Sequence, residues 1–179
     1  MRSRLANSTE TSARATGAER GFLIEVAVEL ASHHVEELRP IYRAHAAYAA
    51  RVSPDELSTW HSAYGLLPVR DPRFRRVYTL ADVLAIRLVG DLRERAVALS
   101  AALAIANDLR RETIPNIVSG GPPLIAFARE RDRWAFEAVP DVPAAQLRVV
   151  NIFRAGYVFL IDFEPIVLDV IDRLTEAQA

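Results

Sequence analysis

The sequence predicts an α+β chain, mainly helical up to residue 111 and ending in a small β-hairpin plus helix unit over 124–179. Three observations carry this. Apolar residues recur at three- and four-residue spacing in successive segments between 19 and 111. Pro115, Gly120, Gly121, Pro122 and Pro123 then break any helical period and mark a linker over 112–123. Beyond it, LIAFA (124–128) and WAFEAV (134–139) flank a charged RERDR and read as two paired strands.

The elements follow in order. Residues 1–18 are small and polar, with no apolar run for a secretory signal, and read as a disordered tail. Residues 19–38 read as a helix with Phe22, Val26 and Leu30 on one face, expected to end or kink at Arg39-Pro40. An alanine-rich helix runs from about Ile41 to Ala50, able to pack closely against a neighbour. Ser53-Pro54-Asp55-Glu56 opens the next: serine caps the free amides, proline suits the first helical position, and Glu56 completes a capping box. Gly65 is its left-handed terminator. VRDPRFRRV (69–77) reads as extended or looped around Pro72, holding four arginines against one aspartate, a local excess of three positive charges. Thr79 caps a helix reaching about Arg95, with Asp82 third in it, Arg87, Asp91 and Glu94 on one stripe, and Leu84, Ala85, Leu88, Val89 and Leu92 left for the core. A further helix spans about 99–111. In the C-terminal unit, Tyr157 to Ile161 reads as a buried strand, and Asp162 and Pro165 introduce a helix from Ile166 to Leu174.

Composition narrows the function classes. The 179 residues suit one domain or two small ones, and 51% apolar content is ordinary for a globular protein. All 22 basic residues are arginine, balanced by 23 acids to a net charge of -1. Cysteine is absent, which excludes disulfides, thiolate metal sites and a cysteine nucleophile, and makes the cytoplasm the expected compartment. No stretch approaches the roughly 20 apolar residues of a membrane span, so no membrane partner is expected. No phosphate-cradling glycine loop, nucleophile elbow or paired His-carboxylate motif is found, so no catalytic residue, cofactor or enzyme activity is expected. Ser119-Gly120-Gly121 lacks the lysine of a P-loop, and capping accounts for Asp162 and Glu164. Glu29, His33 and Glu37 share a helical face, but nothing completes a metal site there and a polar surface is the simpler reading.

The constellation that carries chemistry lies between 44 and 78. A DNA-reading head needs a brace helix, a second helix presenting side chains to base edges, and flanking basic groups on phosphates. Only a short turn separates the helix ending at Ala50 from the one starting at Pro54, which is helix-turn-helix spacing. Ser58, Thr59, His61 and Ser62 are the expected outward positions of the second helix, the first three as base contacts, while Leu57, Trp60 and Tyr64 are expected to pack inward. Arg70, Arg73, Arg75 and Arg76 would form a wing on phosphate. Tyr78 either joins them, stacking or binding phosphate, or pins the wing to the domain.

These residues resemble the MerR-like winged helix-turn-helix regulators over about 44–108. The resemblance is carried, in order, by Val52-Ser53-Pro54, Trp60-His61, Gly65-Leu66-Leu67-Pro68, Arg75-Arg76-Val77-Tyr78, and the run from Asp82 through Ile86-Arg87 to Leu92-Arg93. The sequence departs from that pattern at Ser58 and Thr59, where the family usually has an arginine and aromatics, and in one extra residue before Gly65. The resemblance implies a winged head over 19–111 that binds double-stranded DNA as a homodimer to regulate transcription. The 124–179 unit weakly resembles the C-terminal domain of antitoxins that carry such heads, which implies dimerisation or a protein partner there; the alternative function is then an interaction module of antitoxin type that masks that partner.

Overall fold

The computed structural model describes residues 40–66, 77–130, 133–140 and 158–179. The expected tail, the 19–38 helix with its Glu29, His33 and Glu37, and the four wing arginines lie outside the described residues. Within them the chain forms α1 (Arg43–Ala49), α2 (Pro54–Tyr64), α3 (Leu80–Glu94), α4 (Leu99–Leu109), α5 (Thr113–Val118), β1 (Leu124–Glu130), β2 (Arg133–Val139), β3 (Val158–Asp162) and α6 (Glu164–Gln178). The α+β expectation holds.

α3 is the centre of the molecule. Its start is a complete capping box: the Asp82 amide donates to Thr79 Oγ1 at 3.2 Å and the Thr79 amide to Asp82 Oδ2 at 2.9 Å. The other Asp82 oxygen accepts from Arg110 at 2.7 Å, which ties the start of α3 to the end of α4. Val83, Leu84, Ala85, Ile86, Leu88, Val89 and Leu92 are fully buried. A helix this apolar over most of its circumference needs neighbours on several sides, and α1, α4, α5 and α6 all pack on it.

The expected linker carries a helix instead. Pro115 reads as a breaker, yet it falls in the first turn of α5, where no amide has a partner within the helix to lose. Ile114 and Ile117 are fully buried and hold α5 against α3. The turn after α5 requires Gly121, because a Cβ there would lie 2.6 Å from the Asn116 side chain and 2.7 Å from its carbonyl oxygen.

The strands form an antiparallel sheet in the order β2-β1-β3, with Phe127 opposite both Phe136 and Phe159. Phe127 stacks on Phe159 at 5.0 Å between ring centres. Asp162 accepts from the Glu164 amide at 3.1 Å and so turns the end of β3 directly into α6. Ile125, Phe127, Ile161, Phe163, Val167, Val170 and Leu174 join Ile41, Ala46, Leu57, Trp60 and the α3 residues in one continuous apolar core. The core thus runs without a break across the expected boundary at 112–123.

Candidate nucleic-acid interface

α1 ends with Arg51 in the left-handed region at φ 57. The Arg51 amide bonds Tyr48 O at 3.1 Å and the Val52 amide bonds Ala47 O at 3.0 Å, the paired bonds that close a helix through one left-handed residue. Ser53 follows at once as the cap of α2: its Oγ accepts from the Glu56 amide at 3.1 Å and its own amide donates back to Glu56 Oε2 at 3.1 Å. The backbone hydrogen bond from Ser53, with a further one from its hydroxyl, holds the Glu56 carboxyl below the usual glutamate range. Arg93 of α3 lies 3.7 Å from the same carboxylate.

α2 presents the outward positions expected of Ser58, Thr59 and Ser62: Thr59 and Ser62 are exposed and Ser58 half-buried. Each hydroxyl donates to a carbonyl one turn back, Ser58 to Pro54 at 2.9 Å, Thr59 to Asp55 at 3.0 Å and Ser62 to Ser58 at 3.0 Å. Their oxygens keep acceptor capacity toward solvent. Ser58 Oγ also accepts from Arg43 of α1 at 2.8 Å, a contact between residues 15 positions apart that no local motif marks.

His61 is not an outward position. It is 5% exposed, Nδ1 bonds the Leu66 carbonyl, and Nε2 lies 2.9 Å from the Tyr78 hydroxyl. A carbonyl can only accept, so Nδ1 carries the proton, and when the ring is neutral Nε2 accepts from the Tyr78 hydroxyl. The residue is drawn inward because two polar groups, five and seventeen positions away, satisfy both its nitrogens. Tyr78 is correspondingly 4% exposed, and its amide bonds Ile41 O at 2.9 Å. Of its two expected roles, this geometry is that of the pin, holding the chain leaving 67–76 against α2 and the entry to α1.

Trp60 and Leu57 pack inward as expected, whereas Tyr64 is 48% exposed. The end of α2 accounts for Tyr64. Gly65 takes φ 64, and both its amide and that of Leu66 turn back to Trp60 O, five and six residues away. This last turn is wider than the usual four-residue spacing, and Tyr64 stands on its solvent side.

Residues 44–108 match the family model described as MerR HTH family regulatory protein. The matched stretch begins within α1 and takes in α2, Tyr78, α3 and almost all of α4.

This region is similar to a MerR-type helix-turn-helix head.

Heads of this family belong to DNA-binding transcription regulators, and in this one the brace, the tight turn and the second helix are all in place. The match covers just over a third of the chain. No curated protein matches it significantly.

The MerR-like head is held from behind by α6. Arg51 pairs with Asp169, which also accepts from Arg173 at 3.2 Å. Partial burial raises the Asp169 carboxyl, but the hydrogen bonds from Arg51 and Arg173 outweigh it and leave the group below the usual aspartate range. Arg173 lies over the Tyr48 ring at 5.3 Å, and the Tyr48 hydroxyl donates to Glu176 at 2.9 Å. Beside this contact Arg51, Arg87, Asp91, Arg95, Ile166 and Asp169 border an open cleft of about 540 Å³. Burial raises the Asp91 carboxyl there, against the pull of Arg87 at 3.2 Å. Among the described residues no group of three or more His, Cys, Asp or Glu is placed to hold a metal ion, and no helix is long and apolar enough to cross a membrane.

Proposed function

We propose that the protein is a sequence-specific, cytoplasmic transcription regulator that reads double-stranded DNA through α2. The observation that carries this reading is the pairing of a MerR family match over 44–108 with an α2 whose apolar side is buried and whose hydroxyls face out. Ser58 and Thr59 contact base edges, and Arg70, Arg73, Arg75 and Arg76 form a wing that grips phosphate. His61 and Tyr78 tie α2 to the chain at residue 78 from inside. The regulator acts as a homodimer, because one short head reads only a few base pairs and two-fold operators require two heads.

The test is an electrophoretic shift with the full chain and duplex DNA enriched from a random pool, repeated across salt concentrations. A steep fall of affinity with salt is expected, with a shallower slope after Arg73 and Arg75 are replaced by alanine. If the full chain retains no duplex at low salt, the DNA reading fails and the interaction-module alternative, acting through 124–179, takes its place. Analytical ultracentrifugation at micromolar concentration tests the dimer, which a single monomer peak would exclude.

A further inference from the structure

α2 carries two acids, Asp55 and Glu56, and no arginine. A surface that approaches polyphosphate needs positive charge close to its reading helix. On the neighbouring helices Arg93 lies against Glu56 and is compensated by it. Arg43 differs. Its guanidinium reaches from the first residue of α1 across to α2, where it donates to Ser58 Oγ at 2.8 Å, and no carboxylate pairs with it among the described residues. The first residue of a helix is also where a cation is least favoured by the backbone dipole, so local stability does not account for an arginine there.

We propose that Arg43 is a DNA contact of the head, supplying to the α2 surface the guanidinium that α2 itself lacks. This rests on the DNA reading above. The hydrogen bond to Ser58 fixes the side chain through one N–H and leaves four donors, enough for a two-pronged bond to paired acceptors. Duplex DNA offers such pairs in two places, guanine O6 and N7 or the oxygens of one phosphate. Ser58 is then a positioning residue for Arg43 as well as an outward side chain.

The experiment uses the full chain and a duplex enriched from a random pool by the wild-type protein. Arg43→Gln keeps a hydrogen-bonding side chain for Ser58 but loses the charge and the fork; affinity is expected to fall about 10-fold or more. If the contact is to guanine, the loss is confined to the enriched sequence and one position of the site becomes degenerate. If it is to phosphate, the loss is uniform across sequences and the salt slope falls by about one. Arg43→Ala/Ser58→Arg, which moves the guanidinium onto α2, is expected to regain affinity that Arg43→Ala alone loses. Wild-type binding that Arg43→Gln leaves unchanged overturns the assignment and spares the DNA reading, as does a loss in Arg43→Ala that Arg43→Gln does not share. A wild-type chain that retains no duplex at low salt defeats both.

Discussion

Three helices of the head close through a left-handed residue with nearly the same φ, α1 at Arg51, α2 at Gly65 and α3 at Ala96, and the first two differ in what secures them. At Gly65 the choice of residue is local: glycine takes this conformation at no steric cost, and the anchoring comes from neighbours, the His61 ring on Leu66 O and Tyr78 beyond it. At Arg51 a side chain is kept where glycine would relieve roughly 1 kcal/mol of backbone strain, and that side chain reaches α6. One end is secured by a buried polar network, the other by a half-exposed ion pair. Equal backbone geometry thus hides unequal consequences, since a buried polar group that loses a hydrogen bond costs far more than a surface pair is worth.

The largest expected effect is at the buried end. His61→Ala removes one hydrogen bond from each of the Leu66 carbonyl and the Tyr78 hydroxyl and opens a cavity, and should cost about 2–4 kcal/mol in urea unfolding. Tyr78→Phe, which removes only the hydroxyl, should cost about 1–2 kcal/mol. Losses near zero in both would sink the idea that this network holds α2. Next comes Gly65→Ala: no atom lies within 4 Å of the added Cβ, so the expected cost of about 1 kcal/mol is purely conformational.

The two Arg51 variants sharpen the contrast. Arg51→Gly should change stability by less than about 0.5 kcal/mol, because relief of strain offsets the lost pair. Arg51→Ala keeps the strain and loses the pair, and should fall below the glycine variant by about 1 kcal/mol. Equal stabilities would mean that the backbone at 51 is not strained.

The smallest effect concerns pH. The folded Asp169 carboxyl lies below its unfolded value, so its contribution is full above about pH 4 and is lost as pH falls through the folded pKa. Asp91 is shifted the other way by burial, so its charged form weighs against the fold and acid relieves it. Asp169→Asn should therefore lower the thermal-unfolding midpoint slightly at neutral pH and not in acid, where the two profiles converge, so that the acid limb flattens. An unaltered acid limb would remove the Arg51–Asp169 pair from the account.

What could be read in the sequence was what local chemistry decides. Ser53, Thr79 and Gly65 mark helix ends through their own side chains or the lack of one, and the α3 stripe follows from helical spacing. His61 misled because a histidine on a helix looks outward until partners at positions 66 and 78 are known. α5 was hidden by Pro115, which breaks a helix only where an amide is needed. Arg43 and Arg51 carry no local signature at all: their partners lie 15 and 118 residues away.

The anchoring of α1 on α6 has a consequence in time. A helix of seven residues cannot persist alone in water, and this one leans on Asp169, Arg173 and Glu176 near the far end of the sequence. During synthesis α1 can pack on α2 and α3 as soon as they emerge, but its contact with α6 can form only once the chain through α6 has left the ribosome. Each molecule must therefore be translated past α6 before its brace gains this last support.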